Sequence, residues 1–208
     1  MEVSLAQIGK RFQRQWLYRS LDASLRPHEP LAILGKNGSG KSTLLQIISG
    51  YLTPTEGKVT YTRDNQAIKR EQVWQNVAIA SPHLELHSAM TLAETVEFHH
   101  ALRPIPRYTT SQAAAVKMGL EAHLSKPLKS FSSGMRQRVK LYLAIEGGAP
   151  LLLLDEPTAN LDRQGVIWFR ELLTPALASG RTIAVCSNAE GEETDFCTQR
   201  LQLEHFRG

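Results

Sequence analysis

The sequence predicts an α/β fold, with a parallel-sheet core joined by antiparallel strands near the N-terminus and interrupted by a mostly helical insertion. Three observations carry this prediction. Leu31–Leu34 and Leu151–Leu154 are short, continuously apolar runs, the pattern of central parallel strands covered on both faces. A Gly-rich turn follows the first run and opens directly into a helical pattern. Residues 82–147 carry helix signals and no strong strand. A chain of 208 residues suits one domain with an inserted subdomain and can bury a sizeable core. The expected division is a core of residues 1–81 and 148–208 around a helical subdomain of residues 82–147.

Taken in order, Val3–Ile8 and Leu17–Leu25 read as strands, followed by Leu31–Leu34, Lys58–Tyr61 and Val77–Ala80. Leu151–Leu154 and Thr182–Cys186 complete the set. Lys41–Ser49 repeats apolar residues at helical spacing (Leu44, Leu45, Ile47, Ile48) and stops at Gly50. Thr91–Leu102 begins with a capping box, Thr91 three residues before Glu94. Ser111–Met118, Ser133–Glu146 and Gln164–Ala178 are the remaining predicted helices.

Composition excludes several classes. Apolar content of 42% and charged content of 21% rule out a disordered chain. The net charge of +4 is mild, and its only dense run is Lys10, Arg11, Arg14 and Arg19. No apolar stretch approaches the roughly 20 residues of a spanning helix, and no basic segment followed by an apolar one marks a secretory signal. Two cysteines, Cys186 and Cys197, make no disulfide framework, so a reducing, cytoplasmic setting is expected. His83 and His87 have metal-ligand spacing, but Pro82 precedes them and the acid, Glu85, is misplaced for a zinc helix.

The chemistry is carried by Gly35-Lys36-Asn37-Gly38-Ser39-Gly40-Lys41-Ser42-Thr43, which matches G-x-x-x-x-G-K-[ST] between a strand and a helix. Glycines let the backbone curl so that successive N–H groups point at phosphate, and the helix N-terminus adds partial positive charge. Lys41 is expected on the β/γ-phosphates and the Ser42 hydroxyl on Mg²⁺. Asp155 and Glu156 end the strand Leu151–Leu154, on the side of the sheet where ligands bind. Asp155 is placed to hold Mg²⁺ through its water shell, and Glu156 to polarise the water that attacks the γ-phosphate.

Lys129-Ser130-Phe131-Ser132-Ser133-Gly134-Met135-Arg136-Gln137-Arg138 resembles the signature of the ABC ATPases, and Ala159-Asn160-Leu161-Asp162 resembles their D-loop. With the phosphate loop and strand-end acids in the expected order, the resemblance covers nearly the whole chain. It implies a P-loop NTPase (RecA-like) core with an N-terminal antiparallel β subdomain and an inserted α-helical subdomain carrying the signature. It further implies that ATP and Mg²⁺ are cofactors and that Phe12, or alternatively Trp16, stacks on adenine. Ser132, Ser133 and Gly134 would meet the γ-phosphate held by a second ABC ATPase domain, so that a head-to-tail dimer encloses two ATP. Integral membrane transporter subunits would dock near Ser81–Ser88, placing the chain on the inner face of the cell membrane. No nucleic acid is expected, since base stacking on ATP accounts for the aromatics within the basic run.

Four positions depart from the family pattern. Ser133 stands for the second signature Gly and Met135 for its closing Gln. Ser81 occupies the Q-loop position, too short to reach as Gln would, with Glu85 as a substitute further along. Asn188 stands for the switch His and cannot take up a proton or charge. Glu156 is therefore expected to act alone as base while Asn188 orients. The competing readings are a non-transport ABC ATPase acting on nucleic acid or ribosomes, and a weakly hydrolysing regulatory module.

Overall fold

The computed structural model describes residues 1–103 and 110–206. Two sheets form it. Strands β1 (Glu2–Phe12), β2 (Gln15–Leu25), β4 (Glu56–Arg63) and β5 (Gln66–Ile68) make an antiparallel sheet in the order β2-β1-β4-β5. Strands β3 (Leu31–Leu34), β6 (Val77–Ala80), β7 (Leu151–Asp155), β8 (Thr182–Ser187) and β9 (Gln199–Gln202) make a parallel sheet in the order β6-β7-β8-β3-β9. The helices are α1 (Lys41–Ile48), α2 (Leu92–Leu102), α3 (Ser111–Met118), α4 (Ser133–Glu146) and α5 (Arg163–Ala178).

Every residue of β3, β7 and β8 is buried, as the apolar runs Leu31–Leu34, Leu151–Leu154 and 183–186 require, and the polar residues at their ends, Asp155, Thr182 and Ser187, are buried with them. Period-two alternation then divides the molecule into two cores. Leu152 and Leu154, with Ile183 and Val185, face a core completed by Val96, Met118, Phe131 and Val139 of the helical stretch. Leu151 and Leu153, with Ala184 and Cys186, face a second core shared with α1 and the antiparallel sheet. One parallel sheet is thus gripped between the insertion and the N-terminal strands.

Differences from the sequence reading have local causes. β1 and β2 run further than their apolar alternation, because residues 10–12 and 15–18 pair as a hairpin whose tip, residues 11–15, is exposed. β5 is three residues long, and β9 reads Gln-Arg-Leu-Gln because it is an edge strand with Leu201 alone buried. Neither carries a hydrophobic pattern long enough to detect. α5 continues through Pro175. Among the described residues of 82–147 there is no strand, only an isolated bridge between Thr91 and Pro127. The capping box at α2 forms as read, with Thr91 Oγ1 accepting from Glu94 N and Glu94 Oε2 accepting from Thr91 N.

α2 also carries a titratable weak point. His99 Nδ1 is buried without a hydrogen-bond partner, and burial, then Arg103 and His100, hold the ring's pKa below the ordinary range. The unfolded chain therefore takes up this proton first as pH falls. Stability is fully present above about pH 6.5 and is lost as pH drops toward the depressed native value. Thermal melts between pH 7.5 and 5 should show this loss, and His99→Phe should flatten it.

Candidate functional site

The loop between β3 and α1 has the construction of an anion cradle. α1 opens at Gly40 with no side-chain cap and no acid in its first turn, so its leading amides are free to meet a ligand. Gly40 is left-handed at φ 99°, and a Cβ there would stand 2.9 Å from the Tyr18 ring. Any larger residue would lift the loop off the antiparallel sheet. Ser39 Oγ is buried within the loop without a partner. Lys41 is buried too, and its Nζ donates to Gly35 O (2.7 Å), Lys36 O (3.2 Å) and Asn188 Oδ1 (2.7 Å).

The acids at the end of β7 sit in two different settings. Asp155 is 3% exposed; its Oδ2 accepts from Ser81 Oγ at 3.0 Å, while Oδ1 is buried without a partner. Ser42, Ser81 and Asp155 line one cavity of about 260 Å³ together with His83 and Leu84. A buried carboxylate oxygen lacking a donor, beside a hydroxyl at the helix start, fits the water shell of a hard divalent cation. Glu156 is half-buried with its backbone left-handed at φ 45°. Hydrogen bonds from Glu156 N to Cys186 O and from Ala159 N to Glu156 O, both 3.0 Å, hold that turn.

The structure therefore brings Gly35 to Thr43, Ser81, Asp155 and Asn188 to one end of the parallel sheet. Ser81 donates directly to the acid Asp155. Asn188 is bonded to Lys41. Ser132, Ser133 and Gly134 lie apart from this group. Ser132 caps α4, accepting from Met135 N at 3.2 Å, and Ser133 lines a second groove of about 360 Å³ with Asn160, Lys129 and Arg136. Leu84 lines both cavities, so the two adjoin. Phe12 is half exposed at the hairpin, with Lys10 Nζ 4.9 Å from its ring. The Trp16 ring is already covered by Arg19 and Arg11, at 4.3 and 5.1 Å, which leaves Phe12 the more open face. His83 and His87 lie outside any helix, and among the described residues no cluster of three or more His, Cys, Asp or Glu is poised for a metal.

A family profile described as ABC transporter matches residues 18–159. The chain belongs to the ABC transporter family. Within it, the chain is an ATP-binding, ATP-hydrolysing domain. It is 25% identical over 205 residues to the uncharacterized ABC transporter ATP-binding protein YybJ of Bacillus subtilis, covering 99% of this chain and 94% of that one. It is 34% identical over 186 residues to the sulfate/thiosulfate import ATP-binding protein CysA of Mesorhizobium japonicum, covering 83% of this chain but 53% of that one. The chain thus spans about half the length of that importer protein. Among solved structures, a dimeric post-hydrolysis ATP-binding cassette bound to ADP and Pi superposes with a TM-score of 0.82 at 21% identity, covering 99% and 94% of the two chains. Among the described residues no helix is long and apolar enough to cross a membrane.

Several residues around the ABC site carry no sequence signal. Glu204 Oε1 accepts from the phosphate-loop amide of Lys36 at 2.8 Å across 168 residues. Glu193 accepts from both Thr158 N and Oγ1, steadying the turn after Glu156. Tyr18 lies under Gly40. None belongs to a motif; only the folded sheet order brings these partners together.

Proposed function

We propose that the chain is the ATP-driven motor of a transporter whose pathway is built by separate integral membrane subunits, on the inner face of the membrane. The observation that carries this reading is the uncapped start of α1, with buried Lys41 beside it and the partner-lacking Asp155 oxygen at the same sheet end. Gly35 to Thr43 bind the phosphates, with Lys41 exchanging its loop carbonyls and Asn188 for phosphate oxygens. Ser42 and Asp155 hold Mg²⁺, which when bound neutralises charge on the phosphates. Glu156 takes the proton of the attacking water, and Asn188, which holds Lys41 until phosphate arrives, then orients. Phe12 stacks on adenine. Ser132, Ser133 and Gly134 cover the nucleotide of a second copy or a related domain, their open amides at the start of α4 meeting its γ-phosphate.

Closure of that pair by ATP, and its reopening on hydrolysis, would drive the membrane subunits. Their docking place in this reading is the groove of Pro82, Leu84, Glu85, Leu86 and Ser88, near exposed Tyr51. The transport reading is favoured over action on nucleic acid or ribosomes by the ABC transporter profile. The test is purification from detergent-solubilised native membranes. A multi-span membrane protein should co-purify and stimulate the ATPase. A chain fully active and recovered only from the soluble fraction would overturn the reading.

A further inference from the structure

Three residues on successive turns of α4 meet the loops at the carboxyl end of the parallel sheet. A Cβ on Gly134 would stand 2.7 Å from Asn160 O, so the helix start lies against the turn after Glu156. Gln137, 1% exposed, donates from Nε2 to Pro157 O at 3.0 Å. Lys140 Nζ donates to Ser81 O at 2.9 Å and Pro82 O at 3.2 Å. The signature helix therefore holds both the turn that follows Glu156 and the loop after β6, whose Ser81 meets Asp155. The loop after β6 is held twice, because Ser81 reaches inward through Oγ to Asp155 while its carbonyl is pinned outward by Lys140.

We propose that Lys140 is a positioning residue that couples the cation-facing acid Asp155 to the signature helix and to the adjoining groove. Its ammonium keeps the Ser81–Pro82 turn in the one arrangement in which the Ser81 hydroxyl meets Asp155. A change at that acid then moves the turn, and with it Leu84, which lines both cavities, and α4, whose N-terminus carries Ser132 and Ser133. The placement is a demanding one for a lysine. Partial burial and the neighbouring Arg136 hold its pKa below the ordinary value, and the two carbonyls replace part of its lost water. A tether serving packing alone would need no charge here. The inference rests on the proposed assignment of Asp155 to Mg²⁺.

The experiment uses the full chain and its Lys140→Met, Lys140→Arg, Ser81→Ala and Asp155→Asn variants. It reads ATP affinity, steady-state kcat, and hydrogen exchange of residues 82–88 with and without Mg-ATP. Lys140→Met should leave the ATP Kd within about twofold of wild type, because no phosphate contact is lost, while kcat falls between about two- and thirty-fold. The Mg-ATP-dependent protection of residues 82–88 should disappear with it, and Lys140→Arg should restore both. Lys140→Met combined with Ser81→Ala should be no worse than the weaker single variant, since the two act as one unit. Wild-type kcat and loop protection in Lys140→Met overturn the coupling. So does a loss that Arg does not rescue and that tracks a lower melting temperature. Exchange at 82–88 insensitive to Mg-ATP in the wild type overturns it while leaving the ATP site standing. Full Mg-dependent turnover in Asp155→Asn instead removes the acid's assignment, and the coupling falls with it.

Discussion

Glu156→Gln should lower steady-state ATP turnover by about 10²- to 10⁴-fold, the span expected for removing a general base, while ATP binding stays at wild-type strength. The amide is isosteric with the carboxylate and keeps the same turn, which is fixed from outside the side chain. Glu156 N is bonded to Cys186 O, Gln137 reaches Pro157 O, and Glu193 holds Thr158. A non-glycine residue at φ 45° costs on the order of 1–3 kcal/mol and persists only where its surroundings enforce it, as they do here. Only the capacity to accept a proton is lost. Phosphate release and filter-binding of ATP separate the two effects, and size-exclusion with ATP should show the variant accumulating as a pair. Full hydrolysis in this variant would remove Glu156 from the mechanism.

Lys41→Met should weaken ATP binding by about 10- to 100-fold, since hydrogen bonds to a charged group contribute about 1.5–3 kcal/mol each set. The loss comes from the ammonium no longer meeting phosphate. Gly35 O, Lys36 O and Asn188 Oδ1 also lose their common donor, but that affects the nucleotide-free loop, because Lys41 leaves these acceptors when phosphate binds. Asn188→Ala isolates one of these bonds, leaving Lys41 with its two carbonyls, and should change affinity far less than Lys41→Met. Equilibrium titration with a fluorescent ATP analogue checks both, and unchanged affinity in Lys41→Met would show that nucleotide binds elsewhere.

The parts of this fold that were legible in the sequence are those whose cause is local. Leu31–Leu34 and Leu151–Leu154 announce buried parallel strands because both faces must be apolar, and Thr91 with Glu94 closes its own capping box. The phosphate loop is legible for the same reason, being a run of nine residues whose backbone alone builds the cradle. β9 was hidden because an edge strand buries little, and Glu204 and Lys140 because their partners lie far away in sequence. Ser81 shows the limit most clearly. Its contact with Asp155, at 3.0 Å, depends on the pairing of β6 with β7, which no short motif reports.

The strand order β6-β7-β8-β3-β9 has a consequence for biosynthesis. β3, which delivers the phosphate loop, emerges early in translation, yet both of its sheet neighbours, β8 and β9, come from residues 182–202. Until those residues leave the ribosome the loop has no lateral support, and Gly35 N lacks its acceptor, Ser187 O. Nascent chains ending before residue 182 should therefore be unable to capture ATP, so nucleotide cannot serve as an early folding template for this protein.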